Sequence, residues 1–234
     1  MAAPSQISEH VWWLPKAPPD RPCLCVVTGA RRTLWLDAGS SERHTRELLA
    51  AAPAPDLVGL THSDWDHVVG ASALDCPVIA HELTAAALVR LATADWSDEG
   101  LDDRVAAGEL LQWHVDDIRV ELASPRKVTI VSADIIFRER LDVDLGDVRV
   151  HLRHVGGDHA PDSTVMFVEP DRLLFLGDAL YEIPSGGYTK AKLEPLVAEI
   201  RSFDAEAFVL GHSETVLSRD ELETFVAEAL ETAA

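Results

Sequence analysis

His62, Asp64, Asp66 and His67 fall within six residues, in the run Leu60-Thr61-His62-Ser63-Asp64-Trp65-Asp66-His67, directly after the apolar stretch Leu57-Val58-Gly59-Leu60. Two imidazoles and two carboxylates crowded together must shed water, which is costly as a folding device. A divalent metal removes the cost, because deprotonated His and Asp become its coordination shell. If the segment continues as extended chain, residues 62, 64 and 66 turn one way, and His67 reaches in from the turn that opens the next helix. Metal-assisted chemistry is therefore the first reading of this chain.

Three further apolar runs end in the same residue types. Val148 to Leu152 leads into His154-Val155-Gly156-Gly157-Asp158-His159-Ala160-Pro161-Asp162-Ser163, Leu173 to Leu176 ends in Gly177-Asp178, and Phe208 to Leu210 ends in Gly211-His212. Each reads as a strand that delivers a His or Asp at its C-terminal end. Catalytic groups collect at such strand ends, on loops held by a rigid sheet.

In the order and content of these stations the chain resembles the metallo-β-lactamase superfamily, whose pattern is T-H-x-H-x-D-H, a His within a P-G-H-T-x-G-S loop, G-D and G-H. The matching segments are Thr61 to His67, Gly157 to Ser163 around His159, Gly177-Asp178 and Gly211-His212. Leu36-Asp37-Ala38-Gly39-Ser40 is similar to the family's D-x-G strand–turn, and the likeness runs over residues 7 to 230. Four ordered stations make a far more specific signal than one. The resemblance implies an α/β (α+β) fold, a four-layer αβ/βα sandwich of two mixed sheets with helices outside. It also implies two divalent ions: one held by His62, Asp64 and His159, the other by Asp66, His67 and His212, with Asp178 bridging. The implied activity is hydrolysis of an ester, thioester, lactone or related acyl substrate by metal-activated water, with Asp66 as a transient proton carrier.

The chain departs from the family pattern at Asp64, where the family has a second His, and at Gly156-Gly157-Asp158, where it has T-P-G. With Asp64, Asp66, Asp178 and a bridging hydroxide, two divalent ions would be just neutralised, so the centre polarises its substrate less than a His at 64 would allow. Zinc is the first expectation; the harder oxygen donor also admits iron or manganese. Asp64 reads as a ligand, as the mark of a weak first site, or as an outer-shell base. Two rival functions stay open: a di-iron oxidoreductase resembling the flavodiiron proteins, which carry a carboxylate at this position, and a non-catalytic metal-binding protein.

Composition bounds the rest. At 234 residues and 47% hydrophobic content there is ample material for one domain's core. A net charge of −20, from 40 acidic and 20 basic residues, repels phosphate backbones, so a small-molecule substrate is expected rather than nucleic acid. No apolar run approaches the ~20 residues of a membrane span, and Met1 to Pro15 has no basic leader. With Cys23, Cys25 and Cys76 read as reduced thiols, the expected compartment is the cytoplasm. Oligomeric state is not readable.

To position these groups the chain must supply strands, expected at Val11 to Leu14, Leu24 to Thr28, Thr33 to Leu36, Leu57 to Leu60 and Pro77 to Ala80, then at Phe137 to Val143, Val148 to Leu152, Thr164 to Val168, Leu173 to Leu176 and Ala207 to Leu210. Helices are expected at Ser41 to Ala51, Val68 to Leu74, Glu82 to Ala92, Lys192 to Ser202 and Arg219 to Thr232. Residues 93–127 break the rhythm and read as a helical insertion, including a stretch from Arg104 to Gln112. It either covers the metal cleft or only packs Trp96 and Trp113 on the body. Tyr181, three residues after Asp178, is a candidate to stabilise a developing oxyanion; Tyr188 reads more simply as packing. Of the remaining histidines, His10, His44 and His114 read as surface or packing residues, His81 as an outer-shell hydrogen bonder, and His151 or His154 as weak rivals to His159. Asp158 and Asp162 read as loop hydrogen bonders beside His159, and Trp65 as packing beneath the metal loop.

Overall fold

Strands buried on both faces dominate the computed structural model, which describes residues 3–182 and 186–234. In Thr33–Leu36, Leu34 and Leu36 turn toward the space between two sheets while Trp35 turns outward, its Nε1 donating to Pro53 O at 2.9 Å. In Leu173–Gly177, Leu173 and Phe175 face inward and Leu174 and Leu176 outward. Period-two alternation of this kind, apolar on both sides, requires cover on both faces.

The first sheet has seven strands in chain order: β1 (Ser5–Gln6), β2 (Val11–Leu14), β3 (Leu24–Thr28), β4 (Thr33–Leu36), β5 (Leu57–Gly59), β6 (Val78–His81) and β7 (Ile135–Phe137). The first four pair antiparallel and β4 to β7 pair parallel. The second sheet contains β8 (Arg140–Asp144), β9 (Arg149–His154), β10 (Thr164–Glu169), β11 (Leu173–Gly177), β12 (Ala207–Leu210) and β13 (Leu217–Ser218), in the order β13-β12-β11-β10-β9-β8. Only its β11–β12 pair is parallel.

The helices are α1 (Glu42–Leu49), α2 (Trp65–Val68), α3 (Glu82–Leu91), α4 (Asp98–Ala106), α5 (Gln112–Glu121), α6 (Lys190–Ser202) and α7 (Arg219–Thr232), with a 3-10 turn at Val69–Ala73. Cys25, Val27 and Leu36 meet Leu152, Met166, Phe175 and Val209 between the sheets. Leu48 of α1 and Leu88 of α3 cover the outside of the first sheet, and α6 and α7 cover the second with Leu193, Val197, Ile200, Leu222 and Val226. The fold is thus the four-layer αβ/βα sandwich. Cys23, Cys25 and Cys76 are free, the first two fully buried. Among the described residues, no helix is long and apolar enough to cross a membrane.

Three expectations need correction. The run from Phe137 to Val143 is two strands in different sheets: β7 ends the first sheet at Phe137, and β8 opens the second at Arg140. Phe137, Leu141 and Val143 keep one period-two phase on either side of the charged Arg138-Glu139-Arg140, so the phase alone could not show the break. The helix expected from Arg104 to Gln112 is interrupted between α4 and α5, where Gly108 adopts φ +74°, a conformation glycine takes without strain. Finally, residues 62 to 67 are not extended throughout. Asp64 is the extended N-cap of α2, and Asp66 and His67 lie consecutively on that helical turn.

The 93–127 segment has its own small core. Trp96, Leu101, Val115 and Ile118 pack on Trp65 and Val69 of the body. Glu121, at the end of α5, ties it down further: its buried carboxylate accepts from Arg21 Nε at 2.9 Å, Arg43 Nη2 at 2.9 Å and the Ser41 hydroxyl.

Candidate metal centre

The strands β4, β5, β11 and β12 end at the same side of the sandwich, and the loop after β9 comes to the same place. Two glycines permit the approach. A Cβ at Gly177 would lie 2.7 Å from Thr61 Oγ1, and Gly177 has φ +50°; a Cβ at Gly211 would overlap Asp178 Oδ1. Gly177 is therefore a steric requirement for bringing the end of β11 against Thr61, which follows β5, and Gly211 for bringing the end of β12 against Asp178.

All seven expected ligands converge there. Asp178 Oδ2 lies 3.9 Å from His62 Nε2, 3.5 Å from His67 Nε2, 3.5 Å from His159 Nε2 and 3.4 Å from His212 Nε2. Asp64 Oδ2 stands 3.1 Å from His159 Nε2 and 3.6 Å from His62 Nε2. Asp66 Oδ2 stands 3.1 Å from His212 Nε2 and 3.4 Å from His67 Nε2. Asp178 is thus central, with one aspartate and one pair of imidazoles on either side. The side chains of His62, His67, Asp66 and Asp178 are almost wholly buried, whereas that of Asp64 is 47% exposed and forms the open side.

The outer faces of the imidazoles are fixed by partners far away in sequence. His67 Nδ1 donates to Asp37 Oδ2 at 2.7 Å, and His212 Nδ1 faces Asp20 Oδ1 at 3.1 Å. Thr61 Oγ1 donates to Asp37 Oδ2 at 2.8 Å and so is left to accept from His62 Nδ1 at 2.9 Å. With Nδ1 acting as the donor, each ring, when neutral, turns an Nε2 lone pair inward. Asp37 itself is fully buried with φ +63°, and it also accepts from Thr61 N at 2.7 Å. The expected D-x-G turn is there, but its orienting role, like that of Asp20, had no readable signal.

Electrostatics match the geometry. Burial opposes charge on His67, yet Asp66, Asp178 and Asp37 overcome it and hold its pKa well above the usual histidine value. His212 is raised in the same way against burial, chiefly by Asp178. Asp178 is held well below the carboxylate range despite its burial, by His67 and His212. His62 Nε2, His67 Nε2 and Asp178 Oδ1 are buried without a hydrogen-bond partner among the described residues. Inward lone pairs on buried, unsatisfied atoms fit divalent ions, which would replace those missing partners.

Beside the cluster lies a cavity of about 730 Å³, lined by Asp64, Asp66 and His159 and, from the helical segment, by Trp96, Arg104, Leu110, His114 and Ile118. The segment therefore both packs on the body and walls the cleft; Trp96 is buried, while Trp113 is 49% exposed and does not line the cavity. A second cavity of about 730 Å³ adjoins His212 and Tyr181. The Tyr181 ring sits edge-on to His159 at 5.5 Å between centroids and tilted to His212 at 5.6 Å. Partial burial raises its pKa, so the phenol keeps its proton at neutral pH.

Matches between sequence and known families agree with this architecture. The family described as the metallo-beta-lactamase superfamily matches residues 19–222. The chain belongs to the metallo-β-lactamase superfamily. Among solved structures, a double mutant of the sec-alkyl sulfatase PisA1 superposes with a TM-score of 0.74 at 16% identity, covering 98% of this chain and 41% of the other. The chain thus spans about two fifths of that enzyme. An archaeal metallo-beta-lactamase superfamily protein from Sulfolobus tokodaii gives a TM-score of 0.63 at 18% identity, over 94% of this chain and 86% of that one. A metallo-beta-lactamase from Pontibacter korlensis gives 0.63 at 16% identity, over 98% and 99%. At these identities the likeness shows the fold. Comparison with curated proteins gave no significant match.

Other residues fall as follows. Tyr188 is buried and donates to Leu180 O at 3.1 Å, a packing role. Asp158 accepts from Thr189 N and Oγ1, both at 2.8 Å, and Asp162 from Thr84 Oγ1 at 2.9 Å; these bonds anchor the loop around His159. His81 accepts from Leu83 N at the start of α3 and stacks on His154 at 3.8 Å, so it is not an outer-shell partner of the cluster. His151 pairs with Asp142 at 2.8 Å, away from the ligands. His10 pairs with Asp171 at 2.6 Å, and His44 is buried behind Gly39. His114 is no bystander, since it lines the cavity beside Asp64.

Proposed function

We propose that this chain is a metal-dependent hydrolase acting on a small ester, thioester, lactone or related acyl substrate. The carrying observation is Asp178 Oδ2 set between four inward-facing imidazoles, with Asp64 and Asp66 on opposite flanks. His62, Asp64 and His159 would hold one divalent ion, Asp66, His67 and His212 a second, and Asp178 would be shared; zinc is the first expectation. Bound there, the ions would supply acidified water and a polarised carbonyl. The chain supplies the rest. Thr61, Asp37 and Asp20 would orient the rings, and the Asp66 carboxylate would briefly take a proton. Tyr181 presents a protonated phenol at the mouth, suited to donate to an oxyanion.

Asp64 is the one feature favouring a second reading. A carboxylate in place of an imidazole suits iron, and with it redox chemistry.

The decisive test is elemental analysis of protein purified without added metal, together with Asp64→Ala and Asp64→His. Two equivalents per chain, falling to one in Asp64→Ala, support the binuclear reading. Turnover is then screened over acyl esters, thioesters and lactones, with a secondary alkyl sulfate included because the alkylsulfatase shares this fold. One equivalent in both wild type and Asp64→Ala sinks the two-ion site; iron with a visible absorption band favours the oxidoreductase.

A further inference from the structure

The cavity beside Asp64 and His159 carries a cation that the metal cluster does not use. Arg104, in the last turn of α4, lines it with its guanidinium carbon 5.4 Å from the centroid of the Trp96 ring. Its Nη1 is buried and has no hydrogen-bond partner among the described residues. Its ion pair is a loose one, Nε to Glu109 Oε2 at 3.5 Å, and Glu109 is itself 63% exposed. It forms no ion pair with Asp64 or Asp66, although all three line the same cavity. Arg90 brings a second positive charge to the wall, and Trp65, Trp96, Leu110 and Ile118 supply apolar surface. Nη1 is closed to solvent, but the Arg104 side chain keeps 19% of its surface exposed, and a planar anion in the cavity would meet that accessible edge by a charge-assisted hydrogen bond. A chain of net charge −20 repels anions at long range, so a substrate bearing one needs a dedicated cation in the cleft.

We infer that Arg104 is a specificity determinant that binds a carboxylate on the substrate's acyl chain, remote from the reacting carbonyl. The substrate class is thus a half-ester or half-thioester of a dicarboxylic acid, its apolar methylenes lying against Trp65 and Trp96. The inference rests on the hydrolase reading above. Hydrolysis of such a half-ester breaks the acyl C–O bond, adds the hydroxyl of water to the acyl carbon, returns a proton to the departing alkoxide and releases one further proton from the new carboxylic acid.

The test uses the metal-loaded protein and an indicator of released protons. Monomethyl esters of succinic to suberic acid are compared with methyl esters of monocarboxylic acids matched in length. The expected result is a preference of tenfold or more in kcat/KM, carried by KM, for the carboxylated ester at the best length. Arg104→Gln abolishes the preference, read as the ratio of kcat/KM for the two series within the same protein, Arg104→Lys keeps part of it, and Glu109→Gln increases it by freeing the guanidinium. Equal rates for the two series in wild type, or a preference that survives Arg104→Gln, would overturn the inference. If neither series is hydrolysed, the hydrolase reading has failed on these esters and binding decides separately. Tryptophan fluorescence of metal-loaded wild type and Arg104→Gln is titrated with adipate. A tenfold weaker dissociation constant in the variant supports the anion site, and equal affinity, or no saturable response in either protein, rejects it.

Discussion

At the scale of single residues, Asp37 shows how much of the centre depends on a group outside the candidate ligand set. One carboxylate accepts from His67 Nδ1, Thr61 N and Thr61 Oγ1, and through Thr61 it fixes His62 as well. In Asp37→Asn an amide NH₂ would face at least one of these donors and the charge would be lost, so two rings lose their fixed orientation. Asn tolerates the left-handed φ of +63°, so the fold is expected to survive. Metal affinity should fall about 10- to 100-fold, by analogy with other outer-shell partners. Competition against a chelator measures it; an unchanged affinity with intact circular dichroism would remove Asp37 from the orienting role. The candidate ligands could be found in the sequence because four sit in one short segment and the others follow glycine or loop signals at strand ends. Asp20 could not. It lies among prolines in a loop, and its contact with His212 is created only when β12 ends beside that loop.

At the scale of elements, strands with apolar residues on both faces kept the bounds their pattern suggests, as β2, β3, β4 and β12 do. The pattern failed where topology decides: nothing local tells Phe137 and Arg140 that they belong to different sheets. It also failed for the attachment of α5, which depends on a buried charge cluster rather than on periodicity. Glu121 is only 5% exposed, and burial opposes its ionisation, but hydrogen bonds from Arg21 and Ser41 keep its pKa below the usual value. Glu121→Ala would remove this partner from the buried guanidinium of Arg21 but leave Glu47 at 2.7 Å, so the cost is expected at the lower end of the about 3–5 kcal/mol of a broken buried pair. Chemical denaturation should show a loss of that size, with a smaller one in the double variant Arg21→Met/Glu121→Leu, which removes both charges. A change under about 0.5 kcal/mol in Glu121→Ala, the range of an ordinary surface substitution, would mean the segment is held by the packing of Trp96, Val115 and Ile118 alone.

At the scale of the whole molecule, four imidazoles and three carboxylates in one buried cluster couple folding, metal binding and pH. Without ions, His67 and His212 have pKa values well above 6.5, so protons hold the places that ions would take. A base raised in this way stabilises the metal-free fold fully below pH 6.5, and this contribution is lost as pH climbs through the raised value. Metal binding requires the same rings neutral, so it must expel those protons and weakens as pH falls. His44 works in the opposite sense on the metal-free chain: burial lowers its pKa to about 3, so the unfolded state takes up a proton first and stability declines as pH drops below 6.5. Because His44 acts with or without ions, it shifts both baselines and cancels in their difference. The metal-dependent rise in Tm, taken as loaded minus chelator-treated protein at each pH, should therefore be largest near pH 8, smaller at pH 6 and close to zero by pH 5. Differential scanning calorimetry across that range reads it directly. A rise that stays constant with pH would mean the ions do not compete with protons for His67 and His212, and that these rings are not their ligands.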